Sequence, residues 1–492
     1  MVREMEEGSV LILSSSLLTD RMLLYSTFLP ELLRHVPVTV WATSARSEAQ
    51  RHAWERCEAV VESFPAVRAF REFPYNYLRR LNEFAWDFRQ RPPSRLSMMR
   101  HVRDKTQSAL VRSLKAPARM VALLRLEQHL EQRLEHLMLR YPRSAEAVQR
   151  LSAARPALLV TTGPHRFDEP AVVAAARQLG IPTLALITSW DNLSTKGRMV
   201  YQYGGYLVWS EQMRQELHHF YPASRRVPAY VVGAPQFDVF HQERFWQSRE
   251  EFCAGQGLRP DRPIILHALG SPNFLREHHA ARYLGERVAR GDLGEVQLVI
   301  RPHPLFDNGE EADQLRRLGP RVFVQRTGNA GLARTARTQN ERQITEWVNT
   351  FRHSDVVVNL SSTVTVDAAF FDHPVVNLDF DPEPGQPQQA LVKDVNHRWT
   401  HFQPIAESGG VWLVQDPEEM VEAVRTYLKH PELHREQRRW IVEHVCGFTD
   451  GRSGARMARA ILDHLTRLER PKHGSALAVH DGKDRRADDN GW

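Results

Sequence analysis

The chain has 492 residues, of which 42% are hydrophobic and 25% are charged, and these values are typical of a globular enzyme with two or three domains. Its formal net charge of +6 suits an anionic ligand or a membrane surface but is too small to indicate a nucleic-acid-binding protein. Cys57, Cys253 and Cys446 lie far apart without metal-binding or redox spacing, which argues against a disulfide framework and favours a reducing, cytoplasmic setting.

The first predicted elements form a βαβ unit. The N-terminus is acidic and only briefly apolar, unlike a signal peptide, and no segment reaches the ~20 consecutive apolar residues of a membrane span. Val10–Leu13 is predicted to be a strand, a helical pattern follows to about Arg34, and Val36–Trp41 is the next predicted strand. The first loop carries serines, Ser14–Ser16, where a dinucleotide fingerprint has glycines, so an NAD site is not predicted.

A helical insertion is predicted within the first domain, from about Glu48 to Arg150. Within it, Arg89–Arg125 holds ten Arg or Lys residues and one acid, Asp104. A basic amphipathic segment of this kind can lie on anionic lipid headgroups, which predicts peripheral contact with the inner face of a membrane. The alternative is a solvated insertion whose arginines face water.

The α/β pattern resumes after the insertion and repeats after a domain break near residues 235–260. The predicted strands are Ala157–Thr161, Pro182–Ile187, Gly205–Trp209, Val231–Val232, Pro263–His267, Val296–Ile300, Arg321–Gln325, Val356–Asn359, Pro374–Leu378 and Trp412–Val414. The predicted helices are Glu169–Leu179, Glu211–Phe220, Phe274–Arg290, Gln343–Arg352, Pro417–Lys429, Pro431–Val445 and a last one, Ser453–Leu468, that crosses back to the first domain. Lys472–Trp492 is polar and charged and is predicted to be disordered.

Two parallel sheets of this kind face each other across a cleft, and ligands bind outside the carboxyl ends of their strands. Polar clusters directly after strands are therefore the candidate site. After the strand that ends at Thr161, His165, Asp168 and Glu169 can each accept a proton. Capping of the next helix is the alternative role for Asp168 and Glu169.

The next polar cluster follows the strand that ends at Ile187. Asp191 and Asn192 can bind hydroxyl groups and Lys196 can bind a phosphate. The alternative is an Asx-turn loop packed by Trp190.

Two further clusters belong to the second half. Arg301 and His303, in a proline-rich loop, can face the cleft, and Arg suits phosphate through its bidentate donors. His303 could instead cap its strand. Ser361–Thr363 begin a helix whose N–H groups and partial positive charge can bind a nucleotide diphosphate, and Asp367, one turn later, could reach ribose hydroxyls. An ordinary capped βαβ unit is the alternative.

Taken together, these motifs resemble the GT-B superfamily of nucleotide-sugar glycosyltransferases and the similar UDP-N-acetylglucosamine 2-epimerases. The resemblance is greatest to the CDP-glycerol glycerophosphotransferase and capsule-polymer transferase branch. Its residues here are His303-Pro304, Asp355, Ser361-Ser362, Asp367, His373-Pro374 and Asp450-Gly451, and the layout of Gly163–Gly180, Ile181-Pro182 and Ser189–Ser194 is similar to the acceptor-side loops of the epimerases. Three features depart from the pattern: Leu360 replaces an aromatic residue, Ser362 and Thr363 replace the epimerase glycines, and the helical insertion has no counterpart.

The resemblance implies a GT-B type α/β fold, with two facing Rossmann-like parallel-sheet domains and a helical insertion in the first. The expected boundaries are an acceptor domain at 1–235, a donor domain at 236–455, a return helix at 456–470 and a tail at 471–492. It also implies residue roles. Ser361, Ser362 and Thr363 would hold the donor diphosphate, Asp367 the ribose, and Arg301 and His303 would lie near the nucleotide, while Gly163–Glu169 and Trp190–Lys196 would face the acceptor.

The implied function is transfer of a sugar or polyol phosphate from a nucleotide-activated donor to a hydroxyl acceptor, in surface-glycan or glycoconjugate assembly. The acceptor would be a glycan, a lipid-linked molecule or a small molecule, and His165 or Asp168 would be the base. No cofactor, metal or nucleic acid is expected. Two rivals remain: a UDP-sugar 2-epimerase and a non-catalytic, carbohydrate-binding GT-B relic.

Overall fold

A computed structural model of the chain describes the following residues: 8–65, 75–103, 112–127, 129–130, 132–133, 136, 145–165, 168–271, 274–303, 309–326, 328–329, 337, 339–385 and 387–470. The predicted disordered tail, Pro304 and the middle of the basic segment at 104–111 lie outside these residues.

The first domain contains a parallel sheet of seven strands in the order β3-β2-β1-β4-β5-β6-β7. These strands are β1 (Val10–Ser14), β2 (Val38–Ala42), β3 (Val60–Ser63), β4 (Leu158–Thr161), β5 (Thr183–Leu186), β6 (Gly205–Val208) and β7 (Ala229–Val231). Helices cover both faces of the sheet, so the central strands are buried throughout and their sequences are nearly continuous apolar runs.

The edge strand β3 corrects the prediction that the chain is almost wholly helical from Glu48. Val60–Ser63 pairs in parallel with β2, with Thr39 opposite Val60. Because an edge strand is only partly covered, β3 is short and half-exposed and lacks the apolar run that identified the central strands.

The second domain contains a parallel sheet of six strands in the order β10-β9-β8-β11-β12-β13. Its strands are β8 (Ile264–Ala268), β9 (Gln297–Arg301), β10 (Val322–Val324), β11 (Val356–Asn359), β12 (Val375–Leu378) and β13 (Trp412–Val414). The predicted pair of parallel α/β sheets is therefore confirmed.

The α-helices fall into three groups along the chain. The first domain and its insertion contain α1 (Leu17–Tyr25), α2 (Phe28–Leu33), α3 (Glu48–Arg51), α4 (Tyr75–Gln90), α5 (Pro93–Met98), α6 (Lys115–Leu123), α7 (Ala145–Ala154), α8 (Glu169–Gln178), α9 (Asn192–Thr195) and α10 (Glu211–Phe220). The second domain contains α11 (Arg249–Gln256), α12 (His278–Arg290), α13 (Gly309–Arg316), α14 (Glu341–Arg352), α15 (Val364–Phe370), α16 (Gln389–Arg398), α17 (Gln403–Glu407), α18 (Pro417–Lys429) and α19 (Arg435–Cys446). The last helix is α20 (Ser453–Glu469). Among the residues described, no helix is both long enough and apolar enough to cross a bilayer.

Each sheet reverses its strand order at one point, between β1 and β4 in the first and between β8 and β11 in the second. Crevices at such switch points are where open α/β sheets bind ligands. Loops that follow the strands of the two sheets touch each other, because the Trp190 indole after β5 lies 3.5 Å from the Thr363 hydroxyl after β11. The loops after β5 and β11 thus meet at the junction of the two domains.

The last helix returns to the first domain. Met457, Ala458 and Ile461 of α20 join the core that contains Val10 and Ile12 of β1. Asp238, in the segment between the two sheets, fixes the start of α20, since its carboxylate accepts hydrogen bonds from the Ser453 N–H (3.0 Å), the Gly454 N–H (2.8 Å) and the Thr27 hydroxyl (2.8 Å).

We expect Asp238→Ala to lower the free energy of unfolding by about 2–4 kcal/mol, because it leaves these buried donors unpaired. The thermal midpoint measures the loss. Asp463→Ala, on the exposed side of α20, is the control and should leave the midpoint within about a degree. Equal midpoints for the two variants would show that Asp238 does not hold the return helix.

Candidate functional site

Glu169 joins the two loops at the switch point of the first sheet. Its side chain is fully buried at the start of α8, and its Oε2 atom accepts hydrogen bonds from the Thr161 hydroxyl (2.5 Å) and from the N–H groups of Thr162 (2.9 Å) and Gly163 (2.8 Å). Oε1 accepts a hydrogen bond from the Ser15 hydroxyl in the loop after β1. The structure therefore places this predicted acceptor ligand inside the loop framework, where it fixes the backbone that carries His165.

Glu169→Ala should destabilise the protein by about 3 kcal/mol, because several buried donors lose their acceptor at once. Asp168→Ala provides a matched control one residue away, since the Asp168 side chain is exposed. Unfolding followed by heat or denaturant checks both variants. A Glu169→Ala protein as stable as Asp168→Ala would contradict the structural role of Glu169.

His165 is held in one tautomer. Its Nδ1 lies 3.1 Å from the Gly197 carbonyl oxygen, which can only accept, so Nδ1 carries the proton and Nε2 keeps its lone pair. The Nε2 atom is buried and has no hydrogen-bond partner among the described residues. Burial lowers the pKa of His165 to about 4, against the hydrogen bond to Gly197, which favours the charged form. The ring is therefore neutral at physiological pH, with an available proton-accepting nitrogen.

Asp168, the second predicted base, lies in a different environment. It precedes α8, its side chain is exposed, and it makes no side-chain hydrogen bond that caps the helix. Solvent competes for its carboxylate, whereas the Nε2 atom of His165 is sheltered.

The loop after β5 places Asp191 and Lys196 beside each other. The Asp191 carboxylate accepts hydrogen bonds from the hydroxyls of Ser189 (2.5 Å) and Thr195 (2.9 Å), and the Lys196 ammonium lies 4.0 Å away. Burial acts to raise the pKa of Asp191, but Lys196, His401 and these hydrogen bonds outweigh it and hold the pKa below its usual value. The nearby Asn192 amide donates to the Thr188 hydroxyl (3.2 Å), and Lys196 is half-exposed.

The Trp190 side chain joins this loop to the second domain. Its ring packs edge-on against His401, with centroids 4.8 Å apart, and its Nε1 approaches the Thr363 hydroxyl. His401 also lies 3.3 Å from the Ser194 hydroxyl, and burial lowers its pKa to about 4. The predicted acceptor loop and the predicted donor turn are therefore in direct contact.

Polar side chains in the turn from β11 into α15 are joined by a compact network of hydrogen bonds. Ser361 has a positive φ of 43°, and its hydroxyl bonds to Asn396 and accepts from the Asn377 amide (3.1 Å). Ser362 accepts from the Val364 N–H (3.3 Å) through its hydroxyl. The Ser361 hydroxyl thus faces the protein interior, whereas Thr363 faces the first domain; whether these residues bind a diphosphate stays a prediction.

Asp367 lies where the two domains meet. Its side chain is 7% exposed, and its Oδ1 atom is buried and accepts no hydrogen bond among the residues described. Burial raises the pKa of Asp367 to about 7, against the opposing charges of Arg21 and Arg301 and a hydrogen bond from Trp347. Such a carboxyl group, with one oxygen unused and two guanidinium groups nearby, has the features of a ligand site.

Arg21 reaches this carboxyl group from α1 of the first domain. Its guanidinium lies 4.3 Å above the Trp347 ring, and one nitrogen is 3.4 Å from the Gln236 side-chain oxygen. Burial lowers the pKa of Arg21 to about 10, partly offset by Asp367, so the side chain is still charged at physiological pH.

Arg301 is the last residue of β9, one residue beyond the predicted end of the strand, and His303 lies in the loop that follows. Arg301 donates to the side chains of Gln325 (2.7 Å) and Glu346 (3.1 Å). Burial lowers the pKa of His303 to about 4. Arg301 acts on the Asp367 carboxyl electrostatically, which places it beside the same corner of the cleft.

The helical insertion packs beside the acceptor-side loops. Its structure corrects the prediction that its arginines face lipid or water. Arg95, predicted to face lipid or water, is 1% exposed and donates to Asp87 (3.0 Å) and Glu83. A Cβ atom at Gly197 would meet Glu83 at 2.8 Å, so this cluster packs directly against the loop that bonds His165. The amphipathic pattern of α4 and α5 therefore reflects internal pairing.

The structure thus brings the predicted residues into two neighbouring groups. His165, Trp190, Asp191, Asn192 and Lys196 belong to the first domain, and Arg301, Thr363 and Asp367 to the second. Sequence reasoning missed Arg21, Trp347 and His401, which join the groups only through contact between domains. No local pattern in the sequence marks such pairs.

No family model and no curated protein sequence matches the chain. Among solved structures, the UDP-GlcNAc 2-epimerase of Neisseria meningitidis superposes with a TM-score of 0.52 at 13% identity, over 92% of this chain and 100% of the epimerase. The Methanocaldococcus jannaschii UDP-GlcNAc 2-epimerase gives a TM-score of 0.51 at 12% identity, over 92% of this chain and 99% of that one. A glycosyltransferase from Rickettsia africae gives 0.50 at 7% identity, with 94% and 99% covered. At such identities the likeness establishes architecture and not activity, and the chain has the two-domain GT-B fold that its sequence motifs predict.

Proposed function

We propose that this protein transfers a sugar or a polyol phosphate from a nucleotide-activated donor to a hydroxyl acceptor. The observation that carries the proposal is the buried Asp367 carboxyl group, whose Oδ1 atom has no hydrogen-bond partner among the described residues and which lies under the electrostatic influence of Arg21 and Arg301. The second domain contacts the first through Thr363 and Trp190, and the first domain carries His165, whose imidazole Nε2 atom is buried.

The donor would bind with its ribose at Asp367. An ionised carboxylate is an acceptor-only group, so it suits a pair of ribose hydroxyls. Arg21 and Arg301 would then offset the charge of the diphosphate, and the Thr363 turn would approach it from the sheet side. Structures with this fold support the assignment, because the Neisseria epimerase is bound to UDP-GlcNAc and the Methanocaldococcus epimerase to UDP-GlcNAc and UDP.

The acceptor would bind against the first domain. Asp191 and Asn192 would hold its hydroxyl groups, and Lys196, which is half-exposed, would contact an anionic group on it. The reacting hydroxyl would donate its hydrogen bond to Nε2 of His165, which lacks another partner in the described structure.

The chemistry follows from this arrangement. As the acceptor oxygen bonds to the donor's anomeric carbon or phosphorus, its proton passes to Nε2 of His165. The bond to the leaving nucleotide breaks, and its electron pair moves to the nucleotide phosphate beside Arg21 and Arg301. Contact between the domains through Trp190 would exclude water from the reacting atoms. No step calls for a metal or cofactor.

Incubation with nucleotide sugars and CDP-glycerol, with and without hydroxyl acceptors, tests the proposal by product analysis. The expected result is a new glycosidic or phosphodiester product and a free nucleotide, both dependent on acceptor. A new sugar nucleotide formed without acceptor would establish an epimerase instead. Nucleotide binding without turnover of any donor would indicate the non-catalytic relic.

A further inference from the structure

The outer face of α6 carries an unusual set of exposed apolar side chains. Met120, Leu123 and Leu124 follow the i, i+3, i+4 spacing that places side chains on one helix face, and Leu126 lies two residues beyond Leu124, past the end of the helix. Their exposed fractions are Met120 53%, Leu123 74%, Leu124 58% and Leu126 44%. Scattered single apolar residues are normal on a protein surface, but a contiguous group marks an interaction site.

The inner face of α6 is already occupied. Leu114 and Ala118 are buried against Phe84 and Ala85 of α4. This packing fixes the helix on the insertion, so the exposed leucines are not needed for its attachment.

The charges around these apolar residues are mostly basic, and Glu127, which follows Leu126, is paired with Arg89 (3.0 Å). Arg112, Arg119 and Arg125 are exposed, and no Asp or Glu occurs between residues 105 and 126. A short helix with apolar residues on its outer face and mostly cations beside them complements the interface of an anionic bilayer, where leucines enter the acyl boundary and arginines meet headgroup phosphates.

We propose that the exposed surface formed by α6 and its flanking residues, made of Met120, Leu123, Leu124 and Leu126 with Arg112, Arg119 and Arg125, docks on an anionic lipid bilayer. This refines the expectation for the whole segment Arg89–Arg125, because some of its residues are internal: Arg95 is buried and Ser97 donates to Asp394 of the second domain (2.8 Å). Among the described residues of Arg89–Arg125, the exposed leucines are Leu123 and Leu124, at the end of α6.

The position of α6 would place the acceptor-side loops near the membrane when α6 is docked. α4 lies between α6 and the acceptor-side loops. On one side, Phe84 and Phe88 of α4 pack on α6. On the other side, Glu83 contacts Gly197, and the Trp86 indole donates to the Phe220 carbonyl. Packed helices are about 8–10 Å apart, so docking would hold those loops close to the membrane surface. The docking does not depend on the proposed function. The further step, in which a membrane-borne acceptor reaches these loops, rests on that function.

Co-sedimentation of the full chain with vesicles tests the docking. Wild-type protein should sediment with vesicles of phosphatidylglycerol and phosphatidylcholine, but weakly with phosphatidylcholine alone, and 0.5 M salt should reduce the binding because it screens the arginines. Leu123→Asp/Leu124→Asp should lower the partition coefficient at least about tenfold, since it removes two apolar anchors and adds repulsion. Leu433→Asp/Leu468→Asp, at exposed leucines outside α6, is the matched control and should bind like wild type.

Thermal midpoints of both double variants show that they are folded, and Leu123→Ser replaces the first if it is not. Wild-type binding that is absent, that is equal on both vesicle types, or that persists in the α6 variant would overturn the proposal. A dimer that dissociates in the α6 variant, with no vesicle binding by wild type, would show that the surface pairs two copies instead. The assay contains no nucleotide, so its failure is distinct from failure of the proposed function.

Discussion

Asp367→Asn is expected to weaken nucleotide binding about 10- to 100-fold and to remove its dependence on pH between 6 and 8. Hydrogen bonds to a charged group contribute about 1.5–3 kcal/mol each, and asparagine offers a neutral acceptor and a misplaced donor instead. The Oδ1 atom of Asp367 is buried without a partner among the described residues, so a ligand hydroxyl would complete it.

The pH dependence follows from the raised pKa. Burial raises the pKa of Asp367 to about 7, so the carboxyl is largely protonated at pH 6 and largely ionised at pH 8. If ribose hydroxyls donate to the ionised form, wild-type affinity rises across this interval. Without ligand the sign is opposite: the stability that Asp367 contributes is complete below its unfolded pKa of about 4 and is lost as pH rises through about 7. Apo Asp367→Asn should therefore gain stability relative to wild type as pH increases.

Titration calorimetry at pH 6, 7 and 8 measures the affinities, and thermal midpoints of the apo proteins measure the stability difference. Asp313→Asn, at an exposed carboxylate of α13 that pairs with Arg316, is the matched control and should behave as wild type. Undiminished affinity in Asp367→Asn would exclude Asp367 as the ribose ligand. An affinity that falls as pH rises would show that the protonated form binds.

His165→Ala should reduce kcat about 10²- to 10⁴-fold with a much smaller change in the donor KM, which is the range of effect of a general base. The structure favours His165 because its Nδ1–H donates to the Gly197 carbonyl, which leaves Nε2 as a proton acceptor. Because burial lowers the pKa of His165 to about 4, the activity limb set by this residue should lie near pH 4, with the base competent at any higher pH.

Steady-state rates with the productive donor and acceptor test this assignment, and Asp168→Asn is its control. Asp168 is exposed and outside the contacts that orient His165, so its variant should retain activity within a few-fold. The opposite pattern, with Asp168→Asn inactive and His165→Ala active, would transfer the role of base to Asp168. Activity of both variants near the wild-type level would remove both residues from the reaction.

Most of the fold could be predicted because parallel strands that are covered on both faces consist of nearly continuous apolar residues. Val356–Asn359 and Trp412–Val414 have the predicted bounds, and so do the helices Glu211–Phe220 and Pro417–Lys429. The failures have physical causes. β3 is an edge strand with half-exposed residues, and α16 begins without a side-chain cap hydrogen bond at Gln388, so neither has a strong local signal.

The candidate site was predictable only in part. Residues that follow strands, such as Thr363 and Asp367, are visible because ligand sites in open sheets lie at strand ends. Arg21 is not visible, since it meets Trp347 and Asp367 only after two distant parts of the chain fold against each other. The internal pairing of Arg95 was hidden for the same reason: a buried arginine and a lipid-facing one produce the same pattern of charges.

Thermal stabilisation of the intact protein by UDP, CDP, GDP, TDP, ADP and CMP tests whether a nucleotide binds at the carboxyl edge of the second sheet. A ligand that binds only the folded state adds about 2.7 kcal/mol at a hundredfold excess over its Kd. We expect a clear preference for one nucleotide, retained in Asp313→Asn and lost in Asp367→Ala. No shift with any nucleotide at millimolar concentration, or a shift that survives in Asp367→Ala, would contradict this expectation.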